Sequence, residues 1–326
     1  MNKVLIIYFE AFITVVVINA FFYKKPTEFE LSNSTYIYFC YFLDILHYIK
    51  VNLSFHQKNY PMKTYLLSFF VLIGILGVSN STVDISKKSF KAPKGYVYIP
   101  SGKMAGKFNL TVNSFFMSDH EVTNKEYNAF LSDLKKQNRL EDYAKAQRTT
   151  TNWKSVENSA PMEKLYHSHK SYAKFPVVNI SKEAAWLYCK WKNEKYKDHK
   201  NFTVNFRLPV EFEWVYAAQS GSDVSYGWGK NELKNKKGQY YANFEHNDKK
   251  EGLLMAGSKS YAANGFGLYN MSGNVAEFTS SLKTIKGGSW IDKLEALEIH
   301  QKNDYEETGS PYVGFRPVIT VMMKKK

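Results

Sequence analysis

Asn264–Phe278 reads NGFGLYNMSGNVAEF. Its fifteen residues include three glycines, three asparagines, three aromatic residues and one acid, Glu277. The stretch is too apolar for a disordered linker and too rich in glycine for an ordinary helix or strand. It reads as a loop that the chain folds tightly, and the residues around it set what kind of domain needs such a loop.

Upstream, the local signals are clear. YVYIPSGKMAG from Tyr96 alternates as a strand running into a turn, and VNSFFMSDHEV from Val112 predicts a second strand. In TNKEYNAFLSDL, Thr123 and Glu126 form a capping box, and Tyr127, Phe130, Leu131 and Leu134 repeat on one helical face. FPVVNIS, Phe175–Ser181, predicts a short strand ending on a helix cap. In the helix that follows, KEAAWLYCKWKNEKY, Ala185, Tyr188, Cys189 and Lys192 share a face, and Trp186 and Trp191 are expected in the core. Pro209, Glu211 and Glu213 mark the start of a further helix, with Gly221 past its end. Beyond Gly221 the periodicity fades into loops and short strands pinned by aromatics. The stretch from Gly95 onward has no repeat and no low-complexity linker. It predicts one compact α+β domain, loop-rich, with small sheets and a few helices.

The chain has 326 residues, 44% of them hydrophobic and 16% aromatic, enough for a sizeable core. Its formal charge is +14. Residues 1–81 hold six lysines and four acids, so the remainder keeps 38 basic against 26 acidic residues, or +12. That balance favours an acidic surface or polyanion as partner. No arginine-rich helix, aromatic-basic alternation or zinc spacing accompanies it, so nucleic acid is not expected.

The first eighty residues read differently. Val4–Phe22 is an apolar run long enough to span a bilayer, broken only by Glu10, and Thr35–Val51 is a second apolar patch. MKTYLLSFFVLIGILGVSNS from Met62 has the anatomy of a signal peptide: a start-like Met, Lys63, an apolar core from Tyr65 to Val78 and a small-residue exit. Residues 1–61 are then either a membrane-associated extension, with membrane contact through 4–22, or sequence upstream of a misassigned start. The second is favoured because a signal peptide belongs at an N-terminus. The expected organisation places the signal peptide at 62–81, a short linker at 82–94, the folded domain at 95–320 and a basic tail at 321–326. Both readings put the domain outside the cytoplasm: periplasmic, outer-envelope or secreted. Of the two cysteines only Cys189 lies after the signal, and its apolar neighbours mark it as a small buried hydrophobe.

The order of motifs resembles the formylglycine-generating enzyme, or sulfatase-modifying factor, family. EVTNKEYNAF, FPVVNIS, AAWLYCKW, RLPVEFEWVYAA, YGWG, NGFGLYNMSGNVAEF, KGGSW and GFRPV occur in family order over roughly Gly95–Val318. The resemblance implies a variant of the C-type-lectin-like fold. It also implies a structural calcium ion at the opening loop, held by the Asn270 side chain, the Gly273 and Val275 carbonyls and Glu277. Calcium takes six to eight oxygens, which such a loop can supply. The alternative is a Gly-Asn turn with Glu277 paired to a buried arginine, Arg207 or Arg316. A second, weaker calcium site would use Asn243, the Phe244 carbonyl and Glu251 (or Asp248).

The family's oxidative chemistry runs on two cysteines shortly after GGS that bind Cu(I). The corresponding positions here are Asp292 and Leu297, and neither offers the soft thiolate that Cu(I) needs. No copper is therefore expected. A non-haem-iron branch requires three histidines, whereas His167 and His169 form the only close pair, which reads as a polar loop. Non-catalytic relatives in envelope, gliding-motility and secretion assemblies fit better, although no lipobox cysteine is present. The expectation is an exported, non-catalytic binding or structural module whose partner is an envelope protein or acidic surface. The alternative is an oxidoreductase with a relocated metal site.

Overall fold

The computed structural model describes residues 90–106, 110–149, 153, 160–197, 199–246, 256–305 and 309–324. The expected signal peptide, the apolar run 4–22, Asp248 and Glu251 lie outside them. Among the described residues no helix is long and apolar enough to cross a membrane.

Two short hairpin strands and two four-stranded sheets carry the domain. β1 (Tyr96–Ile99), β4 (Phe115–Ser118), β10 (Val318–Met323) and β5 (Phe202–Arg207) form an antiparallel sheet in the order β1-β4-β10-β5. β2 (Gly102–Lys103) pairs with β3 (Thr111–Val112). The second sheet runs β8 (Asn303–Asp304), β7 (Thr284–Lys286), β6 (Ala276–Phe278), β9 (Val313–Gly314), with β6 and β9 parallel. Among the described residues five α-helices accompany them: α1 (Asn124–Lys136), α2 (Leu140–Lys145), α3 (Ala160–Leu165), α4 (Lys182–Tyr196) and α5 (Glu211–Gln219). The loop-rich α+β expectation holds.

α1 forms where its cap and period place it. Thr123 Oγ1 accepts from Glu126 N at 3.3 Å, and Glu126 Oε2 accepts from Thr123 N at 2.8 Å, satisfying two otherwise orphan amides. Tyr127, Phe130, Leu131 and Leu134 are all buried, and with Tyr188 of α4 and Phe315 they build an aromatic core against the first sheet. Ser181 caps α4 by accepting from Ala184 N at 3.1 Å.

Three local expectations need correction. FPVVNIS is not a strand: Pro176 makes an isolated bridge to Thr123, and Asn179 turns the chain into the left-handed region at φ 58° before any ladder can extend. Trp186 is 42% exposed, because it lies off the Ala185–Tyr188–Cys189 face. Trp191 does pack on Phe130 and donates to Asp133 Oδ2 at 2.6 Å. Pro209 precedes α5 by two residues instead of opening it. The start is held by Glu213, whose Oε2 accepts from Val210 N at 3.1 Å.

Candidate functional site

The opening loop and the KGGSW segment are stitched together. Gly273 N donates to Gly287 O at 2.8 Å, and Trp290 N to Asn274 O at 2.9 Å. Asn270 (φ 52°) and Asn274 (φ 65°) take left-handed conformations that asparagine tolerates better than most residues. Gly288, at φ 62°, lies so close to the following turn that a Cβ would meet Ala296 O at 2.8 Å. Only glycine permits this approach.

The two positions where thiolates would be needed are absorbed into this packing. Asp292 Oδ2 accepts from Ser289 N at 2.8 Å and from Ser289 Oγ at 2.7 Å, closing the turn after the glycines. Its carbonyl takes Glu245 N at 2.9 Å. Leu297 is fully buried beside Trp228, Ala242 and Phe244, and its carbonyl accepts from Ser272 Oγ at 2.7 Å. One position has become a turn lock and the other a core side chain. Leu297→Cys is therefore expected to destabilise the domain by about 2 kcal/mol, from lost apolar burial and the cavity left behind. Chemical denaturation measures this, and an unchanged midpoint would show that the site is not packed as described.

Beneath the loop lies a buried charge cluster. Glu277 accepts four hydrogen bonds: from Arg316 Nε at 2.9 Å and Nη2 at 2.6 Å on Oε1, and from Arg316 Nε and Trp214 Nε1, each at 2.8 Å, on Oε2. Arg316 also donates to the carbonyls of Ser118 and Tyr269. Of the two arginines considered for Glu277, Arg207 pairs instead with Glu213 at 2.7 Å. A second acid, Glu121, is 0% exposed. Its carboxylate accepts from Asn270 Nδ2 at 3.1 and 3.2 Å and from Asn274 Nδ2 at 2.9 Å. Burial pushes the Glu121 carboxyl up to about 7; Arg316 opposes that rise and Glu277 adds to it. Two buried acids thus share one guanidinium.

This arrangement bears on calcium. A carboxylate has about four lone-pair sites, and those of Glu277 face Arg316 and Trp214. The Asn270 amide is turned to Glu121. As folded, both Glu277 oxygens accept from Arg316, one of them also from Trp214, and Asn270 Nδ2 is committed to Glu121. Of the second set, Asn243 O accepts Asn274 N at 2.8 Å and Phe244 is core. Among the described residues no three His, Cys, Asp or Glu side chains meet as a metal site. His167 and His169 serve local structure: His167 Nδ1 contacts Asn124 Oδ1 at 3.0 Å, and His169 Nδ1 accepts from Ser171 N at 3.3 Å.

Sequence reasoning missed Glu121, Asn274 and Trp214. Glu121 opens the EVTN motif two residues before the Thr123 cap, and Ser118, Asp119 and His120 just before it leave no apolar contrast to single it out.

Small sheets joined by long ordered loops, with a glycine-asparagine loop locked to a GGS turn, define a formylglycine-generating-enzyme-type domain. The sulfatase-modifying factor enzyme 1-like domain matches residues 83–321, so the chain belongs to that family. An inactive C-alpha-formylglycine-generating enzyme 2 of Bos taurus is 25% identical over 245 residues, covering 64% of this chain and 77% of that protein. A formylglycine-generating enzyme of Mus musculus is 27% identical over 210 residues, covering 54% of this chain and 51% of that protein. The crystal structure of CarF superposes with a TM-score of 0.50 at 20% identity, over 72% of this chain and 99% of that one, and shows the fold alone. The similar proteins thus include both an inactive and an active type, and the family role here is non-catalytic or divergent.

Proposed function

We propose that this chain is an exported, non-catalytic binding or structural module that keeps the formylglycine-generating-enzyme scaffold without its oxidative centre. The single observation that carries the reading is the fate of Asp292 and Leu297: a carboxylate locked to Ser289 and a fully buried leucine. Neither can present a thiolate, and Cys189 is buried in the core with its thiol pushed by burial up to about 12, so it is no substitute nucleophile. The partner is an envelope protein or acidic surface, consistent with the cationic balance of the folded part. We further propose that the NMSGNVAEF loop is held by Arg316 in place of an ion.

The test is metal analysis of the purified protein together with oxygen consumption in the presence of a thiol. The expected result is no stoichiometric copper or iron and no oxygen uptake above background. Stoichiometric metal with thiol-dependent oxygen uptake would establish the rival reading, an oxidoreductase with a relocated site. Capture from a cell-envelope fraction would then name the partner.

A further inference from the structure

Residues 224–244 hold four lysines, no arginine and a single acid, Glu232. They fold back as a short hairpin. Lys234 bridges Tyr240, Tyr241 N donates to Leu233 O at 3.0 Å, and Asn235 N donates to Gln239 O at 2.9 Å. One side chain fixes the turn. Asn235 Oδ1 accepts from Lys237 N at 2.8 Å and from Gln239 N at 3.1 Å, with Gly238 at φ 75° between them. An asparagine bonded to its own backbone in this way defines the turn without help from a partner. At the base, Leu233, Tyr240 and Tyr241 pack on the buried cluster of Trp228, Ala242, Phe244 and Leu297. The tip is thus tied to the core.

Its cations face solvent. Lys230, Lys234, Lys236 and Lys237 are all exposed. The ammonium groups of Lys230 and Lys234 lie 5.3 and 4.2 Å from the ring centres of Tyr241 and Tyr240. Among the described residues Lys230, Lys236 and Lys237 meet no acid, whereas Lys145, Lys195, Lys259 and Lys302 elsewhere each do. Like charges crowded on one hairpin repel each other in the free protein, and a bound anion relieves that repulsion. Three features narrow the anion. Lysine is a point charge without the fork of arginine, so the site responds to repeated charge more than to one planar group. None of the exposed large apolar side chains of the described residues lies on the hairpin. It therefore offers no wedge for a bilayer and no apolar anchor for a protein interface. Asn231 Oδ1 accepts from Ser225 N at 3.1 Å, and Gln239 Oε1 from Asn235 Nδ2 at 2.9 Å. Both exposed amides keep their NH2 groups for outside acceptors such as hydroxyl oxygens.

We propose that the 230–239 hairpin is a docking site for an acidic polysaccharide, its acid groups on the four lysines and its hydroxyl oxygens on Asn231 and Gln239. The proposal rests on the reading of this chain as a binding module for an acidic surface. It names the chemistry of that surface and the place that meets it.

The experiment uses the purified protein and labelled polygalacturonate at low salt, followed by fluorescence anisotropy. Polyglutamate of matched charge and phosphatidylglycerol vesicles serve as comparisons. Polygalacturonate is expected to bind at least about threefold more tightly than polyglutamate, since only the sugar brings hydroxyl oxygens to the amides. Lys236→Gln together with Lys237→Gln should weaken it about tenfold. Lys91→Gln with Lys94→Gln removes the same charge from exposed positions ahead of β1 and should change it less than about twofold. Equal losses in the two pairs would overturn the proposal, since net charge would then account for binding. So would no binding of polygalacturonate, or binding of polyglutamate or the vesicles that is as tight. Asn235→Ala keeps every lysine and removes the acceptor that fixes the turn. It should weaken binding about threefold, and unchanged binding would overturn the role of the fixed tip. If the 236/237 pair fails to fold, each single substitution is read against Lys91→Gln by the same criterion. Oxygen uptake is measured on the same preparations, so a failure of docking is distinguishable from a failure of the non-catalytic reading.

Discussion

Glu277→Ala is expected to cost the domain about 3–5 kcal/mol, the range for removing one partner of a buried ion pair. Arg316 is 0% exposed and would keep its charge with no carboxylate against its Nε, while Trp214 would lose its acceptor. At this chain length the melting temperature should fall on the order of 10 °C. Replacing the pair together, Glu277→Leu with Arg316→Met, should recover only part of the loss, because the carbonyls of Ser118 and Tyr269 also depend on the guanidinium. The same melts decide the calcium question. With Arg316 holding the loop, wild-type melting should be equal in chelator and in millimolar calcium. A rise that grows with calcium, following RT ln(1 + [L]/Kd), and vanishes in Glu277→Ala would place an ion there after all.

Glu121→Gln should act in the opposite direction and stabilise the protein above neutral pH. The folded-state pKa of about 7 lies above the ordinary value of 4.5. The folded protein therefore binds a proton more readily than the unfolded chain between these values, and stability is lost as pH rises through that window. Above the window the buried charge costs about 3 kcal/mol, because each pH unit that separates the two values is worth ~1.36 kcal/mol. Gln keeps an oxygen for Asn270 and Asn274 and carries no charge. The variant should match wild type near pH 4 and exceed it at pH 8, measured by urea unfolding across the range. Lys286, pushed by burial down to about 8, changes stability with the opposite sign at higher pH, so the difference between variant and wild type is the quantity to follow. Parallel pH curves for the two proteins would sink the idea.

What the sequence disclosed follows the range of the forces involved. The cap and apolar face of α1 depend on neighbours three and four residues away, and both were legible. Trp186 was misplaced because a helix with aromatics on several sides does not announce which side meets the sheet. β5, FTVNFR, alternates strictly while β10, VITVMM, does not, and their pairing joins Phe202–Arg207 to Val318–Met323, a contact no local pattern reports. The loss of thiolates at Asp292 and Leu297 was readable by residue type alone. Their new employment in a turn and a core was not, since it depends on Ser289 and on Phe244. Glu121 escaped notice because Asn270 and Asn274 lie 149 and 153 residues downstream.

The place of β10 carries a consequence for how the molecule is made. Val318–Met323 is inserted between β4 and β5 in the first sheet, and Arg316, just before it, neutralises Glu277 from the second. Neither sheet is complete until a ribosome has passed the segment from β9 through β10. A growing chain thus emerges with β1, β4 and β5 unclosed and both buried acids, Glu277 and Glu121, still without the guanidinium they share. Folding of this domain is held until β10 has been made, which suits the proposed export, since a polypeptide must be threaded through a translocation channel before it becomes compact.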